Sequence, residues 1–239
     1  MTHLVHIQMN SRKFGIWAAQ RGLSDRRGFD PHNAMHVLLS ALFGKGALQP
    51  YRLFQPDTGP WSVYGHSAMS AEELSETARL VGTPDMLEVI DLESLRGKPL
   101  PEKIPEGRRI GFDIRLFPVM RRGQDQVRDA YAALRERQLQ DGGEMGAGVL
   151  SREKVYRDWF AERLGGAAEL ETFRMTAFSM SRMVRSGKAF TGPDLVAQGT
   201  LRVTGPERFH PLLHEGVGRA RAYGFGLMLL RPADPEQVL

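Results

Sequence analysis

Two histidines stand one helical turn apart in Asp30-Pro31-His32-Asn33-Ala34-Met35-His36. Residues four apart project from roughly the same face of a helix. Imidazole suits proton transfer because its unperturbed pKa is about 6.5. Such a pair can also ligate a metal, but no further ligand completes a set here, and neither a metal nor a cofactor is expected. It can equally decorate the first turns of a helix and do nothing. A second stretch with chemical potential is Gly216-Val217-Gly218-Arg219-Ala220-Arg221-Ala222-Tyr223-Gly224-Phe225-Gly226. Its four glycines let backbone N–H groups approach phosphate oxygens without Cβ obstruction. Arg219 and Arg221 can add charge-assisted contacts to the same oxygens. A Walker loop needs Gly-Lys-Ser/Thr and a dinucleotide fingerprint follows a strand, so neither fits. The plain alternative is a tight left-handed turn with exposed arginines.

The basic residues are segregated. Residues 171–231 hold nine bases against four acids, among them Arg174, Arg182, Arg185, Lys188, Arg219 and Arg221. Arg12, Lys13, Arg21, Arg26 and Arg27 form a second cluster, whereas residues 70–106 hold nine acids and four bases. The formal net charge of +4 is therefore a cancellation. Asymmetry of this kind is an electrostatic footprint for nucleic acid, or a solvated charged face. The absence of cysteine excludes disulfide scaffolds, cysteine metal sites and thiol catalysis. No apolar run approaches the ~18 residues of a membrane span, and the first residues lack a signal-peptide pattern. No membrane partner and a cytoplasmic location are the expectation.

The elements that must carry these residues follow from periodicity and caps. Leu4–Asn10 alternates apolar and polar residues as a half-buried strand does, and a basic loop is expected after it. Asp30-Pro31 starts a helix that Gly44 closes. Tyr51–Phe54 and Trp61–Tyr64 are strands, Ser70-Ala71-Glu72-Glu73 is a capping box opening a helix to Gly82, and Met86–Ile90 is a further strand. The order β-α-β-β-α-β is the ferredoxin-like unit. The Pro/Gly-rich residues 97–107 read as a linker, after which the order begins again. Ile110–Leu116 is a strand, residues 125–140 and Arg152–Leu164 are helical, Leu170–Arg185 and Val196–Val203 form a long hairpin, Pro206–Glu215 is a short helix, and Phe225–Leu230 is the last strand. Trp61, Trp159 and Phe160 belong to the core, and Met175, Met180 and Met183 to hairpin packing. The fold class is α+β with two tandem ferredoxin-like (RRM-like) domains, residues 1–100 and 108–239. The second carries a helical insertion.

The glycine-rich segment, with Gly199-Thr200-Leu201-Arg202-Val203 before it and Leu227-Met228-Leu229-Leu230 after it, resembles the end of CRISPR repeat-RNA endoribonucleases of the CasE family, the crRNA-processing subunit of type I-E Cascade. Phe112-Asp113-Ile114-Arg115-Leu116 is similar to the family's Phe-Arg-Leu-Arg strand, and Tyr156–Leu164 to its Trp-Leu-x-Arg-x-Leu helix. The resemblance implies metal-independent cleavage at the base of a repeat hairpin. The RNA's own 2′-OH attacks the adjacent phosphate, leaving a 2′,3′-cyclic phosphate and a 5′-OH. It implies that His36 is the principal general acid/base. Several family members place a Tyr three residues before that histidine, where this chain has Asn33, so His32 is the candidate second proton-transfer or positioning group. RNA stems are held largely through shape and phosphates. Arg174, Arg182, Arg185 and Lys188 are then candidates for the stem, and Arg12, Lys13, Arg26 and Arg27 for the strand leading to the cut. Gly216, Gly218, Arg219, Arg221, Tyr223 and Gly224 are candidates for the phosphates. The implied partners are CRISPR repeat RNA, retained as the crRNA 3′ hairpin, and the backbone and Cas5-type subunits of Cascade. A non-catalytic hairpin-binding module of the same complex is the alternative.

Overall fold

The computed structural model describes residues 1–25, 28–122, 126–140, 150–185 and 188–233. The first half runs β1 (His3–Met9), α1 (Ser11–Gln20), β2 (Ser24–Asp25), β3 (Gly28–Phe29), α2 (Pro31–Phe43), β4 (Tyr51–Phe54), β5 (Trp61–Ser67), α3 (Ala71–Val81), α4 (Pro84–Leu87) and β6 (Ile90–Pro99). The second runs β7 (Arg109–Leu116), β8 (Val119–Arg122), β9 (Gln126–Asp129), α5 (Ala130–Gln140), α6 (Arg152–Leu164), β10 (Ala168–Arg185), β11 (Lys188–Val203), α7 (Pro206–Glu215) and β12 (Met228–Arg231), with a 3-10 turn at Arg221–Tyr223 between the last two. The sheets are β4-β5-β1-β6 and β10-β11-β7-β12, antiparallel throughout. In each, the four main strands stand second-third-first-fourth, so the ferredoxin-like order occurs twice, as expected.

The helix ends follow their caps. Asp30 accepts from the His32 and Asn33 amides, both at 3.0 Å, and Pro31 fills the first helical position. Ser70 and Glu73 form the reciprocal capping box of α3. Each half has its own core. Val5, Ile7, Phe14, Trp17, Leu38 and Leu42 lie in the first, and Phe112, Ile114, Tyr156, Phe160 and Leu201 in the second. Burying an aliphatic or aromatic side chain of this kind stabilises by ~1.5–3 kcal/mol.

Several local expectations change. The basic loop is α1, a helix whose Asn10 side chain accepts from the Lys13 amide and whose Phe14, Trp17 and Ala18 are buried. Residues 86–90 are not one strand. α4 ends at Leu87 and β6 starts at Ile90, running on into the Pro/Gly-rich stretch to Pro99. The helical start near residue 125 is instead the hairpin β8–β9, and Asp129 caps the helix that follows by accepting from the Tyr131 amide at 3.0 Å.

Pairing in the second sheet sets up the seam between the halves. Ile110, Phe112, Ile114 and Leu116 of β7 face that half's core, so alternation turns Asp113 and Arg115 to the opposite face. There they meet the first half. Arg52 of β4 pairs with Asp113, which also accepts from Gln198 at 2.7 Å. Arg52 and Arg115 are each only 7% exposed. A buried guanidinium must be paired, and both are.

Candidate active site at the domain seam

His36 lies in the second turn of α2, partly buried, with its ring centroid 5.5 Å from that of Tyr223. Burial lowers its pKa, and the nearby Lys45 ammonium lowers it further. Both disfavour the imidazolium, so the ring is mostly neutral at pH 7. Tyr223 comes from the far end of the chain, through the glycine-rich loop that packs against α2. The loop is closed by its own backbone. The Val217 amide donates to the Gly226 carbonyl (2.9 Å), the Tyr223 amide to Ala220 (2.8 Å), and the Gly226 amide to Arg115 (2.8 Å).

Two glycines seat the loop on the first domain. Gly216 has φ +77°, and a Cβ there would fall 2.8 Å from the Pro50 ring. Gly224 has φ +80°, and its Cβ would fall 3.2 Å from His32 Nδ1 and 3.4 Å from an Arg115 guanidinium nitrogen. No other residue type fits these positions without displacement. Ala220 adopts φ +61°, a left-handed conformation that a non-glycine residue adopts at a cost. Its neighbours differ in availability. Arg219 is exposed, while Arg221 turns back to donate to the Glu215 carbonyl at 2.6 Å.

His32, one turn before His36, sits in a different environment. Arg115 donates to its Nδ1 at 2.9 Å and makes a paired contact to Asp194, Nε to Oδ1 at 2.8 Å and Nη2 to Oδ2 at 2.5 Å. Ser181 donates to the same carboxylate at 2.7 Å, and the guanidinium lies 4.3 Å over the Phe225 ring. The Tyr51 hydroxyl donates to the His32 carbonyl at 2.9 Å. Burial, reinforced by Arg115, pushes the His32 pKa down to about 3, against a smaller opposing effect of Asp194. Beside this network a cleft of about 620 Å3 opens between the halves, lined by His32, Arg52, Phe54, Arg115, Phe178 and Arg182.

The structure thus brings together His32, His36, Gly216, Tyr223 and Gly224, which lie at opposite ends of the sequence. It does not gather all the expected bases there. Arg12 and Lys13 are exposed on α1, where Lys13 meets Glu88 at 3.1 Å. Arg174 is exposed on β10, which passes beside α2. Gly218 lies in the same loop but packs towards Trp159. Arg26 and Arg27 lie outside the described residues, as do the side chains of Arg185 and Lys188. Sequence reasoning did not single out Lys45, Tyr51, Arg115 or Asp194. For Arg115 and Asp113 a signal existed: two charges alternate with core residues along one apolar strand, and buried charges need partners. Nothing local pointed to Asp194 or His32 as those partners.

This fold and seam define a protein of two ferredoxin-like domains whose candidate catalytic helix and glycine-rich loop meet between them. The profile of the family described as CRISPR associated protein matches residues 2–232, and the chain belongs to that family. Solved structures share the architecture. A CRISPR endoribonuclease Cse3 bound to a 19-nucleotide RNA matches with a TM-score of 0.66 at 20% identity, over 97% of this chain and 99% of that one. Thermus thermophilus Cse3, bound to an RNA representing a pre-cleavage complex, gives 0.60 at 19%, over 97% and 99%. Cas6e from Escherichia coli str. K-12 gives 0.60 at 18%, over 97% and 100%. No curated protein matches the chain. Among the described residues no helix is long and apolar enough to cross a membrane.

Proposed function

We propose that the chain is an endoribonuclease that cuts CRISPR repeat RNA at the base of its hairpin and keeps the product as a Cascade subunit. The observation that carries this reading is the meeting of His36 with the glycine-rich loop. A titratable group that stays neutral at pH 7 faces a loop whose glycines and exposed Arg219 suit a phosphate. Membership of the CRISPR-associated family and the fold shared with the Cse3 and Cas6e endoribonucleases support the same reading.

Neutral His36 takes the 2′-OH proton as O2′ attacks the phosphorus. The O2′–P bond forms, the P–O5′ bond breaks, and the 5′-oxygen takes up a proton from solvent, to which His36 releases the one it removed, giving a 2′,3′-cyclic phosphate and a 5′-OH. Arg219 and the loop amides offset the charge that builds on the phosphorane. The step consumes no water, which suits an enzyme that holds its product.

Purified protein incubated in EDTA with a synthetic repeat hairpin tests this. One cut is expected at the 3′ base of the stem. It is abolished by 2′-deoxy substitution at the scissile nucleotide and slowed by about 10²-fold or more in His36→Ala. Cleavage that requires magnesium or ignores His36 would overturn the mechanism. Intact RNA held tightly would establish the alternative, a binding module.

A further inference from the structure

We propose that His32 is a positioning residue, the acceptor end of an Asp194–Arg115–His32 latch that joins the two domains and sets the glycine-rich loop against His36. It takes no part in proton transfer. The assignment deepens the proposed function, on which its activity arm rests.

The tautomer follows from the donor. Arg115 has only N–H groups to offer and stays protonated at any working pH. Its 2.9 Å contact therefore makes His32 Nδ1 an acceptor and places the ring proton on Nε2. The groups around His32 come from four elements: Arg115 of β7, Asp194 of β11, Phe225 of the glycine-rich loop, and Tyr51 of β4, which donates to the His32 carbonyl. Burial and the guanidinium both resist a second proton, in keeping with a pKa near 3. A group so held neither gains nor loses a proton near neutral pH.

What the latch does follows from its place. His32 is on the first domain's α2, and Arg115 and Asp194 are on neighbouring strands of the second domain's sheet. The two hydrogen bonds to Asp194 fix the guanidinium plane, and the third bond fixes how α2 is turned towards that sheet. Gly224 rests on the His32–Arg115 contact, and the Arg115 carbonyl holds the Gly226 amide. Tyr223, next to Gly224, faces His36 one turn further along the same helix. Losing the acceptor frees both the first turn of α2 and the seat of the loop.

Side-chain geometry supplies the test. The Asn side chain places an acceptor close to where His Nδ1 stands, whereas Gln reaches towards the Nε2 position. Single-turnover cleavage of the repeat hairpin at saturating protein should slow by about tenfold in His32→Ala and His32→Gln. His32→Asn should recover most of that loss. RNA affinity should shift much less than the rate, and the pH–rate inflection of His36 should remain in all three variants. If His32→Asn is as slow as His32→Ala, or if either variant removes an inflection, His32 is a proton-transfer group and the latch is overturned. A second readout is independent of activity. In 15N-histidine NMR of the wild-type protein, one of the seven rings should be neutral with its proton on Nε2 from pH 7 down to pH 5. That signal should be missing in His32→Asn. A His32 ring protonated on Nδ1, or titrating near pH 6.5, would overturn the proposal even if the protein cuts no RNA. Failure of the wild-type protein to cleave, with the NMR signature intact, would sink the proposed function and leave the latch standing.

Discussion

At the scale of single residues, the two histidines show how neighbours divide one residue type into two chemistries. His36 is partly buried near the Lys45 ammonium, and burial and that charge both lower its pKa. Deeper burial, reinforced by a guanidinium, pushes that of His32 down to about 3. Removing the ammonium removes a penalty on the imidazolium, so Lys45→Ala should raise the His36 pKa. The inflection in the pH–rate profile of RNA cleavage then moves to higher pH, and an unmoved inflection would show that Lys45 does not act on the ring. The histidine pair was legible in the sequence because helix spacing alone puts both on one face. Their separate environments were not: Arg115 lies 83 residues from His32, and Lys45, just past the Gly44 cap of α2, reaches His36 only through the way the chain turns there.

At the scale of elements, what could be read was whatever the chain encodes locally. Asp30-Pro31 and Gly44 bound α2, the Ser70–Glu73 box opens α3, and α7 spans Pro206–Glu215 as its pattern implied. α1 was hidden although Asn10 is a favourable cap, because its first turn carries Arg12 and Lys13 beside Gly15, which masks a buried stripe of Phe14, Trp17 and Ala18. The glycine-rich loop was visible as a composition, but its strain was not. Ala220→Gly relieves a left-handed alanine that costs about 1–2 kcal/mol, and part of the gain is lost to the greater freedom of glycine in the unfolded chain. Urea unfolding should therefore show a gain of about 0.5–1 kcal/mol. Gly224→Ala should move the midpoint the other way by about 1–2 kcal/mol, and more if the latch is displaced. Equal effects of the two changes would mean that the loop relaxes freely.

At the scale of the whole molecule, the two halves meet through polar groups that pair across the seam. Besides the pairs at Arg52 and Arg115, His66 of β5 donates from Nδ1 to the Leu213 carbonyl of α7 at 2.9 Å, and Thr2 meets His214 at 3.0 Å. Burial pushes the His66 pKa down to about 4 from its ordinary 6.5, with the carbonyl contact opposing. The unfolded chain thus binds a proton that the folded one refuses, and stability falls as pH drops from about 6.5 towards 4. For this residue the slope is about 1.4 kcal/mol per pH unit within that window. His66→Asn keeps an N–H for Leu213 without titrating, so its unfolding free energy should vary less between pH 7 and 5. An unchanged slope would place the acid sensitivity elsewhere. The seam has one more consequence, in time. Synthesis releases α2 well before the loop bearing Tyr223, so a chain still growing on the ribosome can fold its first domain while it has no assembled centre. On the proposed function, such a chain would cut no RNA. The proposed centre is complete only once the segment bearing Tyr223 closes on a helix made earlier.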